Sequence, residues 1–369
     1  MKRSPFYPEF AAHEPSMVTM QGWQVPNVFT TAADEHAAVR QRVGLLDWST
    51  TGEFEIQGPD ALEVVQKLVV NDARMPVNRV LYTSILDEDG GMRSDITVYR
   101  LGEEHYMLMT AWGSNAAGER PEYELLVEHS RGKNACVFDA SPGVGLLALQ
   151  GPNSRALLAA LTEADLAKLP YMWALPAQVA GVRALISRTG YTGELGYEIL
   201  IPVEHAHDFW GVVTEAGQKY GLAPVGMAAA FGLRIEKSYI MRFDFAGGHT
   251  PYEVGLGWTV KLDKGDFIGR EALVRRREAG LPERLVTILL DDDYVPAGGD
   301  AVLVDGQELG KTTSAAYGYT LGCPITLAYL PAGTPAGPTV TIRDSEGEEH
   351  PGRVSQRSPY DPQGLRLRA

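Results

Sequence analysis

Ser187-Arg-Thr-Gly-Tyr-Thr-Gly-Glu-Leu-Gly-Tyr-Glu-Ile199 packs three glycines, two threonines and two tyrosines into a loop that runs straight into a strand. In Tyr197-Glu-Ile-Leu-Ile201 the residues alternate, so Glu198 and Leu200 share one face and Tyr197, Ile199 and Ile201 share the other. Glycines let backbone come close to a flat ligand, or take up conformations that other residues avoid. A carboxylate beside an aromatic loop suits a planar ligand with adjacent N–H donors, such as a 2-amino-pyrimidinone ring, because one carboxylate accepts two parallel hydrogen bonds. On spacing alone, a Gly-rich hairpin with a solvated glutamate is the simpler account.

Around this stretch the chain reads as a multidomain globular protein. Its 369 residues exceed what one hydrophobic core usually serves, and 44% hydrophobic with 22% charged residues is ordinary for such a protein. A net charge of −14 argues against nucleic acid and against docking on a membrane surface. Only two cysteines, Cys136 and Cys323, are present and they lie far apart, which fits a reducing, cytoplasmic setting and offers no metal-site spacing. No signal-like apolar run opens the chain.

Upstream, residues 32–43 read as a helix, and Gly44 to Ile56 as a strand that alternates at its end. A helix follows Gly58-Pro-Asp, with Leu62, Val65 and Leu68 at helical spacing. Val80–Leu86 and Met92–Tyr99 flank Asp87-Glu-Asp-Gly-Gly91 and form a hairpin. A second αβ block begins at Leu146-Leu-Ala-Leu-Gln-Gly-Pro152. The two Gln-Gly-Pro openings, at 57–59 and 150–152, hint at two related αβ lobes. From about Glu283 short β-rich runs alternate with Gly and Pro turns, predicting an all-β barrel or sandwich.

Several motifs then coincide in order: Gly44-Leu-Leu-Asp47, Asn71-Asp72, Tyr82-Thr83, Asp89-Gly-Gly91, Arg188 to Glu194, Leu233-Arg-Ile-Glu-Lys237, Gly255-Leu-Gly-Trp-Thr-Val-Lys261 and Phe267-Ile-Gly-Arg-Glu-Ala-Leu273. This series resembles the glycine-cleavage T-protein (aminomethyltransferase) family from about Gly22 to Tyr360. The resemblance implies an α+β fold, a three-domain cloverleaf with two αβ lobes in a folate-binding region at 1–282 and a β-barrel domain at 283–369. It also implies an enzyme using tetrahydrofolate as acceptor. By that resemblance Asp95 is the catalytic carboxylate beside the reactive folate nitrogens, where it can orient an amine and stabilise developing positive charge. Glu198 pairs with the pterin ring, and Tyr82, Tyr191 and Trp258 lie near the folate. Trp112, Thr50 and Phe243 are candidates for the donor pocket. A solvated strand aspartate and packed aromatics are the plain structural alternatives.

The departures from the family pattern shape the functional expectation. Ser94-Asp95 stands where T-proteins have two aspartates, Ser49-Thr50-Thr51 where they have Ser-His-Met, and Ala230 where they have a folate-holding arginine. The tract Ser238 to Phe245 is unusually aromatic. These differences point to the demethylase and dimethylglycine-dehydrogenase branch: a methyltransferase moving a methyl group from a small methylated donor to tetrahydrofolate, with a lipoyl H-protein an unlikely partner. The alternative is a glycine-cleavage aminomethyltransferase, and a third reading is a non-catalytic folate-binding module. His205 and His207, two apart, make a poor metal pair, and no dinucleotide fingerprint is present.

Overall fold

In the computed structural model, which describes residues 1–355 and 358–369, a three-stranded, a six-stranded and a five-stranded open sheet pack with a closed six-stranded barrel. Helix Ala32–Gln41 is capped by Thr31, whose hydroxyl accepts the Asp34 N–H at 3.0 Å, and it leads into strand Val43–Asp47. The stretch expected to be one strand from Gly44 to Ile56 is two. Val43–Asp47 joins a six-stranded sheet and Gly52–Gln57 joins a five-stranded one. Ser49, Thr50 and Thr51 make the crossing between them. The Ser49 N–H is held by Asp47 at 3.0 Å, and Ser49 Oγ accepts the Leu146 N–H at 2.9 Å.

The five-stranded sheet is built on the hairpin Val80–Leu86 with Met92–Gly102, continued by His105–Thr110. The six-stranded sheet centres on Val144–Gln150, flanked by Gly196–Pro202 and Val43–Asp47. In Gly196–Pro202 the expected alternation holds. Tyr197, Ile199 and Ile201 enter the core beneath helix Ala206–Gly217, while Leu200 joins a different apolar cluster on the opposite face. That second cluster brings Val80, Tyr99, Met107 and Met109 of one sheet against Leu146, Ala174 and Leu200 of the other. Burial there fixes the two sheets to each other by apolar contact rather than by a linker.

The C-terminal region is a closed barrel of six strands from Glu283–Leu290 to Glu349–Ser355. Closure leaves no barrel strand with an unpaired edge. The fold is therefore α+β with a C-terminal β-barrel. Ile325, Leu327 and Tyr329 of the barrel pack against Leu86, Met92, Ile235 and Phe245, which fixes the barrel to the rest of the chain. Among the described residues no helix is long and apolar enough to cross a membrane, and no group of three or more potential metal ligands occurs.

Candidate active site

Strand Met92–Gly102 sets the site's long axis. Asp95 and Tyr99 fall on one face four residues apart, about 13 Å of strand. Across the ladder Ser84 opposes Asp95 and Tyr82 opposes Thr97, so Tyr82 and Asp95 are diagonal neighbours. The Tyr82 hydroxyl donates to Asp95 Oδ2 at 2.7 Å. Asp95 keeps some accessible surface yet lies deep between the lobes, as a group on the floor of an open cleft does. Loss of water raises its carboxyl to about 6. The Tyr82 hydrogen bond pulls down, and the charges of Asp244 and Glu122 push further up.

Glu198 approaches from the other sheet. Ser187 is its cross-strand partner, the Thr189 hydroxyl donates to Glu198 Oε2, and Tyr99 of the opposite sheet is near enough to act on its charge. Burial raises this carboxyl, and Thr189 and Tyr99 lower it. Burial first, and then the Glu198 charge, raise the Tyr99 phenol. Two aromatic pairs wall the space. Tyr82 stacks with Trp258 at 6.3 Å between ring centres, and Tyr191 stacks with Tyr239 at 5.7 Å. The Tyr191 hydroxyl donates to the Ile240 carbonyl at 2.5 Å, which pins the aromatic tract after helix Met227–Glu236.

Trp258 and Phe243 are at the rim, 62% and 50% exposed. Phe243 lies over the buried Arg234 guanidinium at 5.8 Å, and Arg234 is paired with Asp244 at 3.1 Å. Thr50 and Trp112 come together at the end of the five-stranded sheet. The Gly113 N–H donates to the Thr50 carbonyl at 2.8 Å, and Thr110, which opposes Ile96, donates to the Trp112 carbonyl at 2.9 Å. That places them one step from Asp95 along the ladder.

The glycines of the signature loop have a reason different from the one expected. A Cβ at Gly190 or Gly196 would lie 2.1–2.2 Å from the Gln150 side chain, and one at Gly193 would lie 2.2 Å from Lys237. They make room for buried side chains beneath the loop, while their outer surface lines a recess with Tyr171, Tyr239 and Leu367. Residues that sequence reasoning passed over also contribute. Tyr99 and Tyr171 feel the Glu198 charge, and Tyr191 feels those of Asp95 and the buried Asp244. Ala230 is core, 4% exposed and packed with Val39, Leu46 and Leu233. A guanidinium from far along the chain, Arg368, instead acts on the Tyr171 and Tyr239 phenols.

Comparison with known proteins decides the lineage. The family described as the GCVT N-terminal domain matches residues 6–264, and the glycine cleavage T-protein C-terminal barrel domain matches residues 283–361. The chain belongs to the glycine cleavage T-protein family. It is 40% identical over 336 residues to an aminomethyltransferase of Moorella thermoacetica, covering 90% of this chain and 91% of that one. It is 40% identical over 346 residues to an aminomethyltransferase of Streptomyces coelicolor, covering 92% of both. The crystal structure of glycine cleavage system aminomethyltransferase T from Bartonella henselae superposes with a TM-score of 0.88 at 25% identity, covering 98% of both chains.

The T-protein chain is thus an enzyme, a transferase. Two expectations are corrected. Methyl transfer from a small methylated donor loses to the alternative, because relatives at 35–40% identity over most of the chain are named aminomethyltransferases. The inference that a lipoyl H-protein is an unlikely partner falls with it, since the structural relative at TM-score 0.88 is named for the glycine cleavage system. Both expectations rested on departures from the family pattern at Ser94, Ser49-Thr50-Thr51, Ala230 and the tract Ser238 to Phe245. Of these, Ser49 serves the sheet crossing and Ala230 the helix core.

Proposed function

We propose that this chain is a tetrahydrofolate-dependent aminomethyltransferase that receives an aminomethyl group carried on the lipoyl arm of a partner protein. The observation that carries the reading is the pairing of Asp95 and Glu198 at opposite ends of one aromatic-walled opening, in a chain similar over nine-tenths of its length to aminomethyltransferases. The residues fit a folate. Glu198 offers two carboxylate oxygens to the ring's adjacent N–H donors, and the stacked Tyr191–Tyr239 and Tyr82–Trp258 pairs suit a flat ring. Arg368 is the cation placed to meet an anionic tail in place of the arginine that Ala230 lacks. Bound folate supplies the nitrogens that accept the one-carbon unit. In the net reaction the aminomethyl carbon gives up its bonds to sulfur and to its own nitrogen, and ammonia and the lipoyl thiol leave.

In this reading Asp95 does the proton work. A carboxyl raised to about 6 takes and returns a proton near neutral pH far more readily than an ordinary aspartate. Tyr82 holds it in place, and the remaining catalysis comes from positioning in a partly desolvated cleft. Trp112, Thr50 and the rim residue Phe243 bound the donor's approach. Residues 1–282 hold the substrates, and the barrel of 283–369 backs them. The two cysteines, free in this structure, suit a reducing cytoplasm.

The test runs the reaction backwards. Purified protein, H-protein carrying the reduced dihydrolipoyl thiol, ammonia and methylenetetrahydrofolate should together yield tetrahydrofolate and an aminomethylated carrier detectable by mass. Absence of that product, with tetrahydrofolate binding intact, would overturn the aminomethyl reading.

A further inference from the structure

Glu198 is an anion without a cation. Among the described residues it has no lysine, arginine or histidine partner, and the neighbours that act on it are hydroxyls. Ser187 opposes it across the sheet, Thr189 donates to its Oε2, and Thr189 Oγ1 lies 2.8 Å from Ser187 Oγ. Ser187, Thr189 and Tyr99 are 0%, 6% and 1% exposed, so bulk water does not substitute for them. Tyr99 comes from the other lobe and packs against Leu200, so the phenol of one sheet lies beside the carboxylate of the other. A buried carboxylate that must accept two N–H bonds needs its remaining lone pairs filled, or it takes up a proton and loses an acceptor.

We propose that Thr189, with Tyr99 beside it, is a positioning residue for the folate ring, holding Glu198 turned so that its free acceptor sites meet the ring's paired N–H donors. This rests on the folate reading above. Neither hydroxyl is assigned contact with the reacting carbon; both act through Glu198. The other titratable group facing Glu198 is Tyr171, whose phenol is raised by burial first and then by this charge among others. Burial already pushes Glu198 upward, so removing the Thr189 donor raises it further.

The experiment is anaerobic titration calorimetry of tetrahydrofolate from pH 6.5 to 8.5, with steady-state rates alongside. Wild type should bind with little pH dependence. Thr189→Val should weaken binding about tenfold at pH 6.5 and much less at pH 8.5, as expected for one hydrogen bond to a charged group. Its KM should rise while kcat at saturation stays near wild type, and Thr189→Ser should restore both. Tyr99→Phe should shift the same profile in the same direction and carries the test if the valine variant does not fold. Wild-type binding with both variants unchanged in affinity and pH profile overturns the positioning role alone. No binding by wild type at any pH overturns the folate reading together with it.

Discussion

Asp95 keeps its place at a cost to the fold. Its carboxyl titrates at about 6 in the folded protein, above the ordinary value near 3.8, so the folded state binds the proton more tightly than the unfolded one. The contribution to stability is therefore present at low pH and is lost as pH rises from about 4 through 6. Asp95→Asn should raise Tm by roughly 2–4 °C at pH 8 and by nearly nothing at pH 4.5, while lowering kcat by about 10²-fold or more. Scanning calorimetry and rates on the same preparations check both. A variant less stable than wild type at pH 8 would show that Asp95 is a structural residue. Wild-type kcat should itself fall below about pH 6 if the carboxylate is the active form. At this scale Asp95, Glu198 and the tyrosines were nominated by the family resemblance, while the period of a strand assigned the faces of Asp95 and Glu198 without any tertiary information. Thr189 and Tyr239 were not, since their roles depend on what approaches from a different sheet or loop.

The two Gln-Gly-Pro turns share more than letters. Gly58 and Gly151 have φ of +138° and +129°, a region that favours glycine, and a Cβ on them would lie 2.4 and 2.5 Å from the carbonyl oxygens of Asn134 and Val39. After the second turn's strand, Gln150 Nε2 donates to the Thr189 carbonyl at 3.2 Å, and Gln150 Oε1 accepts from the Thr192 hydroxyl at 2.8 Å. Gln150 is thus a buried wedge holding the signature loop from beneath. Gly151→Ala should cost about 2–4 kcal/mol in urea unfolding, through backbone strain and a carbonyl contact that cannot relax. Gly196→Ala should displace Gln150 and weaken folate binding more than its effect on stability alone explains. If both variants unfold at the wild-type midpoint, the wedge account is wrong. The repeat's shape was readable from the sequence, whereas the wedge was not, because its hydrogen-bond partners lie 39 and 42 positions away.

Across the whole molecule, Arg40 ties the parts together. It pairs with Glu236 at 2.7 Å and Glu194 at 3.2 Å, donates to the Thr192 carbonyl at 2.8 Å, and lies 3.9 Å from the Tyr360 ring centre. Glu236 also accepts the Thr320 N–H of the barrel at 2.8 Å. Burial alone would raise Glu236, but His36 and Arg40 hold it below its ordinary value. That portion of stability is present above about pH 4.5 and is lost as pH falls below it. Arg40→Ala leaves buried Glu194 without its cation and buried Glu236 with His36 alone, and should lower stability by about 3–5 kcal/mol. Chemical denaturation at pH 7 checks the loss. Tyr360 and Lys237 anchor the last dozen residues to the same hub, through Glu194 and the Asp361 carbonyl. Loosening of that segment in limited proteolysis should accompany the Arg40 variant. A drop under about 1 kcal/mol would mean that the hub is not a keystone.

The sequence by itself determined the lineage, the strand faces and the β texture after Glu283, because motif order, residue alternation and turn chemistry are local properties of a chain. It also placed Asp95 and Glu198 on the correct faces of their strands. Only the tertiary structure decided that Gly44 to Ile56 splits between two sheets, that the loop glycines accommodate Gln150 and Lys237, and that Ala230 belongs to a core. Those outcomes depend on which distant side chains compete for the same space, and packing at close to crystal density settles that competition only once the whole chain has folded.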